Sequence, residues 1–317
     1  MNNIEKLRRK RLGFFVRKEI IRLLCNKRVN TTAIVLLKHL SSFIPDKLIT
    51  RMPIVGKVSV ELPDGNYLVM ETGGEDLITR ALFWMGFKGY EYETTKLFYE
   101  LAKKSNVIFD IGANTGYYTL LAAIGNGEGQ VFAFEPIPKI YEYLKRNIAL
   151  NPKSNVIAIS SAVTNFDGEI TLYIPADDGI IPTSASTLEG FRETEGEISV
   201  PAITIDSFVY KNQIEKVDLM KIDTEATEHI VLEGAKHILK RDEPMIICEV
   251  LKGRTERFLE ALLSDLGYKY YWITDKGLIQ RDTIEGDGTG KYGTYLFCKE
   301  EKNERHPKNI NVCAIFY

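Results

Sequence analysis

Long apolar runs are missing from this chain. No segment of its 317 residues reaches the ~20 apolar residues of a membrane-spanning helix, and the best candidate, 31–44, is shorter and carries Lys38 and His39. The N-terminus does not read as a signal peptide, because Arg17, Lys18 and Arg22 interrupt its apolar part. Cysteine is scarce: Cys25, Cys248, Cys298 and Cys313 show no C-x-x-C spacing and no dense framework. Two of them lie in strand-like runs, where a free cysteine acts as a small buried hydrophobe, and together they point to a reducing, cytoplasmic compartment. Neither sign of charge dominates. The formal net charge is −2, so the field of the whole protein implies no polyanionic partner. There is no internal repeat and no low-complexity block.

The charge that is present is unevenly placed. Residues 1–30 hold ten Lys/Arg against Glu5 and Glu19, with Leu12, Val16, Ile20 and Leu23 at helical spacing. This is a basic amphipathic helix, read either as a docking helix with its charges in water or as a peripheral contact with an anionic membrane surface. The expected organisation is a basic helical extension over 1–55, a hairpin and helix over 56–104, a core domain over 105–300 and a tail over 301–317. "KVSVEL" and "NYLVME" alternate on either side of the turn "PDG", which predicts the hairpin. Residues 75–103 read as helical, interrupted near Gly86 and Gly89.

From 106 onward short apolar strands alternate with helices. Strands are expected near 106–111, 130–135, 156–160, 217–223 and 244–250, with helices near 116–125, 138–150, 227–240 and 254–266. That alternation predicts an α/β fold with a parallel, doubly wound sheet. Runs 169–174 and 198–204 predict an added hairpin, and "YKYYWI" with "GTYLFCKE" a final antiparallel pair.

Ligands of doubly wound sheets sit at the carboxyl ends of the strands, at the switch point. Here the strand over 106–111 ends in Asp110 and passes into "GANTG", residues 112–116. A pyrophosphate site wants G-x-G-x-x-G. In this chain Asn114 stands at the second glycine and Tyr117 at the third, and Asp110 would set a negative charge beside the phosphates. S-adenosylmethionine fits better. Asp110 suits its ammonium, the amides around Gly112, Asn114, Thr115 and Gly116 suit its carboxylate at a helix N-terminus, and Glu135, followed by Pro136, suits both ribose hydroxyls. The blander alternatives are a helix-capping Asp110 and a solvated Glu135.

At this point the sequence resembles a known family. "FDIGANTGYYTLLAA", "FEPIP", "TIDSF", "VDLMKIDTEATEHIVLEGA" and "PMIICEV", with "ALFWMGFKGYEYE" upstream, follow one another in the order of the FkbM-type methyltransferases. The resemblance implies a class I methyltransferase (Rossmann-like) sheet of order 3-2-1-4-5-7-6 with strand 7 antiparallel. It implies S-adenosylmethionine as methyl donor and O-methylation of a hydroxyl on a sugar, glycan or natural-product small molecule. It also places Ser161 and Ala162 against the adenine edge. One departure is visible: the family reads D-x-E-G-x-E where this chain has Ala226. Asn147, at the end of a predicted helix, reads equally as a C-terminal cap and as a cofactor contact.

Methyl transfer to oxygen needs an acceptor held in line, and a base adds to the rate. Asp223, Glu225 and Glu249 end neighbouring strands and are the candidates, Asp223 first, with helix capping as its alternative role. His229 is a further candidate whose facing is unresolved. The three carboxylates permit Mg²⁺ without indicating it, so no metal is assigned. Trp84, Tyr90, Glu91 and Glu93 cluster in sequence; Glu91 suits the cofactor's amino end or a sugar hydroxyl. The polar loop 176–197 is the expected source of substrate specificity. Rival readings are methylation of an amine or carboxylate, and a non-catalytic class I scaffold. A nucleic-acid partner is not expected, since "IDTE" stands where an Asn/Asp-Pro-Pro-aromatic turn would be and the core has no basic face. Oligomeric state stays open, a homo-oligomer included.

Overall fold

The computed structural model describes residues 52–299, apart from 153–154, 176–193 and 290, together with Asn26, Asn30, Ile34 and Thr50. The rest of the basic segment 1–30, most of the loop 176–197 and the tail 301–317 lie outside the described residues. The described residues up to Tyr90 form one compact unit, and those from Glu91 onward another.

The first unit contains the expected hairpin, β1 (Gly56–Glu61) paired antiparallel with β2 (Tyr67–Thr72). Alternation buries Val58, Val60, Leu68 and Met70 on one face. Helix α1 (Leu77–Met85) starts where the Asp76 side chain accepts from the Ile78 amide. It stops at Gly86, where φ is +61°.

The second unit begins with α2 (Tyr92–Ala102), β3 (Val107–Ile111), α3 (Tyr117–Gly125), β4 (Gln130–Phe134), α4 (Pro138–Ala149) and β5 (Val156–Ile159). A small sheet follows, made of β6 (Ala162–Val163), β7 (Gly168–Pro175) and β8 (Thr194–Ile203); the expected hairpin is β7 with β8, and β6 adds a parallel strand. Thr194 to Glu197, assigned to the loop on sequence, belong to β8. The chain continues through α5 (Ile205–Lys211), β9 (Leu219–Ile222), α6 (Glu228–Glu233), α7 (Lys236–Arg241), β10 (Met245–Glu249), α8 (Glu256–Asp265), β11 (Lys269–Thr274), β12 (Gly277–Arg281) and β13 (Thr294–Cys298).

The large sheet runs β5-β4-β3-β9-β10-β13-β11, with β12 added at the edge. β5, β4, β3, β9 and β10 are parallel, and β13 is antiparallel to both of its neighbours. This is the class I order 3-2-1-4-5-7-6 with strand 7 reversed, the sheet of S-adenosylmethionine-dependent methyltransferases. Side-chain alternation divides the central strands. Phe109, Ile111, Phe132, Phe134, Met220, Ile222, Ile246 and Cys248 face one main core with residues of α5, α6, α7 and α8. On the other side α3 packs on β3 and β4, α4 on β5, and α2 on α3. Cys248 and Cys298 are buried, as their strand positions suggest.

The motif "TIDSF" has a structural meaning that the strand pattern hides. Thr204 caps α5 by accepting from the Ser207 amide. Asp206 caps a different helix, accepting from His237 and Ile238 at the start of α7. Phe208 lies 4.9–5.8 Å, centroid to centroid, from Phe109, Phe132 and Phe134. Edge-to-face pairs of this kind contribute about 0.5–1.5 kcal/mol each beyond their buried area. The single helix expected over 227–240 is two helices, because Gly234 lets the chain pass close to the Thr164 carbonyl, where an added Cβ would come within 2.0 Å.

Gly112 holds the turn after β3 against the turn after β9. Its φ is +82°, and a Cβ there would lie 1.9 Å from the Asp223 carbonyl oxygen. Gly112→Ala should therefore destabilise the second unit by roughly 3 kcal/mol or more, from positive φ and steric overlap together. A thermal or urea melt of the variant checks this, and an unchanged midpoint would contradict the close approach.

Candidate active site

The turn 112–116 closes on itself. Gly112 and Ala113 donate their amides to the Phe134 carbonyl, Asn114 to Glu135 Oε2 (3.0 Å), Thr115 to Asn114 Oδ1 (2.8 Å) and Gly116 to the Ala113 carbonyl. Each of these amides, which the sequence offered to a ligand carboxylate, has a partner within the chain. Asn114 reaches this arrangement at φ +50° and Gly116 at +97°, left-handed conformations that Gly and Asn tolerate best. Asn147 is neither a helix cap nor placed on a ligand. Its fully buried amide donates to the Thr115 carbonyl at 2.7 Å and pins the turn to α4.

What the turn does offer is acidic and hydroxylic. Thr115 Oγ1 is buried and has no hydrogen-bond partner among the described residues, an unusual state for a buried hydroxyl. Asp110 is 2% exposed and Glu135 4%. Asp110 Oδ2 accepts from the Thr119 hydroxyl at 2.5 Å, so it also anchors the first turn of α3. Burial pushes its carboxyl up to about 6, against the pull of Thr119 and Lys221. Glu135 accepts from the Asn114 amide and, through Oε1, from the Ile137 amide at 2.9 Å. Burial pushes it up to about 7, against those two amides. A carboxylate has about four acceptor positions, so both groups keep capacity for a ligand. Pro136 follows Glu135 half-buried, and Ser161 is half-buried in the link from β5 to β6. Ala162 packs with Leu172 and Val200 in the small sheet.

The most consequential residue was not among the candidates. Lys221 lies in β9, opposite Asp110 of β3 and Ile247 of β10 in register. It is 1% exposed, and its Nζ sits 3.0 Å from Asp223 Oδ2 and 4.7 Å from the centroid of the Tyr118 ring. Burial pulls its pKa down, but the carboxylates of Asp223, Glu91 and Glu249 outweigh this and leave it above the ordinary lysine range. Tyr118 donates its hydroxyl to Glu91 Oε2 at 2.8 Å, so Glu91 enters the same network. A signal existed in "VDLMKID": central parallel strands read as apolar runs, and a lysine inside one needs a partner.

Asp223 and Glu249 share this face, two residues beyond Lys221 and Ile247 on their strands. Glu249 Oε2 is buried without a partner among the described residues. Burial, with the carboxylates of Asp223, Glu228 and Glu225 alongside, pushes Glu249 up to about 10. The shift favours the protonated form of Glu249.

The turn 223–228 supports this edge. Glu225 and Ala226 have φ of +54° and +76°, so Ala226 adopts the conformation that glycine would favour at this place. Glu228 holds it there, its Oε1 accepting from the amides of Thr224 and Ala226. His229 does not join the carboxylates through any described hydrogen bond. Its ring stacks on the exposed Phe258 ring of α8 at 4.8 Å, and burial lowers its pKa against the opposing pull of Glu233. In the first unit, Trp84 Nε1 donates to the Met52 carbonyl at 3.4 Å. Among the described residues no group of three or more His, Cys, Asp and Glu is arranged to hold a metal ion, so the geometry adds nothing to the Mg²⁺ reading of Asp223, Glu225 and Glu249. No helix among the described residues is long and apolar enough to cross a membrane.

The assembled site is thus two buried carboxylates and an unpaired hydroxyl around the β3 turn, next to an ion pair at the end of β9. The donor set suits a ligand carrying an ammonium and a diol. The family model for the methyltransferase FkbM domain matches residues 110–270, which span this whole edge. The chain is 28% identical over 175 residues to the hexuronic acid methyltransferase AglP of Haloferax volcanii, covering 55% of this chain and 68% of that protein. It is 29% identical over 188 residues to the methyltransferase sdnD of Sordaria araneosa, covering 51% and 73%. Among solved structures, methyltransferase FkbM from Methylobacillus flagellatus KT aligns with a TM-score of 0.40 and 16% identity, covering 62% of this chain and 44% of that one. By that domain match and the residues within it, the chain belongs to the FkbM methyltransferase family, with S-adenosylmethionine as methyl donor.

Proposed function

We propose that the protein is an O-methyltransferase acting on a hydroxyl of a sugar, glycan or natural-product small molecule. The observation that carries this reading is the shared face of β3 and β9, where Asp110 of the cofactor turn stands in register with Lys221, two residues before Asp223. A relative that methylates a hexuronic acid supports a carbohydrate acceptor. The donor supplies an electrophilic methyl group on a sulfonium. Asp110 receives the ammonium, Thr115 Oγ1 donates to the carboxylate, and Glu135 accepts from the ribose hydroxyls with the lone pairs its amides leave free.

At the end of β9, Lys221 engages Oδ2 of Asp223. Oδ1 is then the atom that orients the acceptor hydroxyl and takes its proton. Glu249, whose pKa burial and its acidic neighbours push upward, lies at the same edge with Oε2 buried and unpartnered among the described residues, placed to contact the acceptor.

Asp110→Ala should abolish binding of S-adenosylhomocysteine in isothermal titration at pH 8. Asp223→Ala should leave that binding in place and lower turnover by about 10²–10³-fold. Normal binding and turnover in both variants would displace the site. With labelled S-adenosylmethionine and a panel of sugars, nucleotide-sugars and hydroxylated metabolites, label should appear as a methyl ether. An N-methyl or ester product would replace the reading with that of an amine or carboxylate methyltransferase.

A further inference from the structure

The reading above uses Lys221 as the partner of Asp223 and leaves open what its register with Asp110 does. Lys221 is fully buried, yet its ammonium is surrounded by groups from five elements. Asp110 faces it from β3, Asp223 from the end of β9, Glu249 from the end of β10, the Tyr118 ring from α3, and Glu91 from the residue before α2. A buried ammonium is costly unless it is paired, and removing its partner costs more than the pair gains. Such a lysine could serve stability alone. Its position argues for more: β3 and β9 pair in register at Asp110 and Lys221, and the same side chain reaches Asp223. The charge of Asp223 makes ionisation of the buried Asp110 less favourable, and that of Lys221 makes it more so.

We propose that Lys221 is a positioning residue that ties the carboxylate of the cofactor turn and the carboxylate at the acceptor edge into one electrostatic unit. The inference rests on the reading of Asp110 as the ammonium's partner. Two roles follow. Lys221 fixes Oδ2 of Asp223 so that Oδ1 points to the acceptor in one orientation. It also offsets the repulsion between Asp223 and Asp110, so that Asp110 is an anion at the pH where the cofactor must bind. Tyr118 covers the ammonium with an aromatic face at 4.7 Å, and Glu91 holds Tyr118 in that place through the phenol hydrogen bond.

The sign of the effect on binding is opposite for the two neighbours. Binding of the cofactor's ammonium requires ionised Asp110, so affinity falls as pH drops through the Asp110 pKa. Taking away the positive Lys221 moves that fall to higher pH; taking away the negative Asp223 moves it to lower pH. A residue that served packing alone would move neither. The test is isothermal titration of S-adenosylhomocysteine from pH 5 to 8.5 with the wild-type chain, Lys221→Met and Asp223→Asn. Lys221→Met should shift the acid limb of the affinity profile upward by about one pH unit and weaken binding near pH 6.5 by about tenfold. Asp223→Asn should shift the limb the other way by a smaller amount. If Lys221→Met fails to fold, the direction of the Asp223→Asn shift decides the matter alone. A folded Lys221→Met or an Asp223→Asn with an unmoved limb overturns the coupling. No binding by the wild-type chain at any pH would instead refute the cofactor reading.

Discussion

One buried ammonium makes this edge of the sheet possible. Parallel strands β3, β9 and β10 end side by side, and the chain places Asp110, Asp223 and Glu249 on the same face of those ends. Asp110 is buried and Asp223 and Glu249 are partly buried, and carboxylates gathered at one edge repel one another. The structure offsets this in two ways. Lys221 supplies a positive charge at 3.0 Å from Asp223 and in register with Asp110. Burial and its acidic neighbours push the Glu249 pKa upward, which favours its protonated form.

The backbone around the edge is built to keep these groups in place. Gly112 brings the β3 turn onto the Asp223 carbonyl, nearer than any side chain would allow. Glu228 collects the amides of the 223–228 turn and holds Ala226 at a positive φ. Asn147 pins the turn of 112–116 from α4. The motif residues that look like an active-site signature are thus divided in their work. Gly112, Asn147, Glu228 and Asp206 shape the edge, while Asp110, Thr115, Glu135, Asp223 and Glu249 present polar groups toward it. The turn's amides are paired with the end of β4, with Glu135 and with the turn itself.

Much of this was legible in the sequence, and the reasons for the gaps are physical. The central strands are short apolar runs between turn residues, and each appears within two residues of its expected bounds. Asp110 and Glu135 are readable because a carboxylate at the end of a buried strand is out of place. Lys221 is hidden in the sequence because it sits inside an apolar run and most of the groups around it come from other elements. The strand β12, "GLIQR", escaped because an edge strand exposed to water shows no alternation. The start of α7 is fixed by a tertiary contact, since Asp206 caps it from 31 residues away, and Gly234 before it sits against the Thr164 carbonyl. His229 was drawn in by its chemistry, but a first-turn position says nothing about facing, and it stacks on Phe258.

The account stands on the claim that the crevice beyond β3 is made for a cationic amino-acid head and a ribose, with side chains and not turn amides as the recognising groups. A crystal structure of the chain with S-adenosylhomocysteine measures this directly. The account predicts the ligand's ammonium within hydrogen-bond reach of Asp110, its ribose hydroxyls on Glu135 and its carboxylate at the Thr115 hydroxyl. A ligand bound elsewhere, or one whose amino-acid end lies away from Asp110 with the 112–116 turn reopened to bind it through amides, would contradict it.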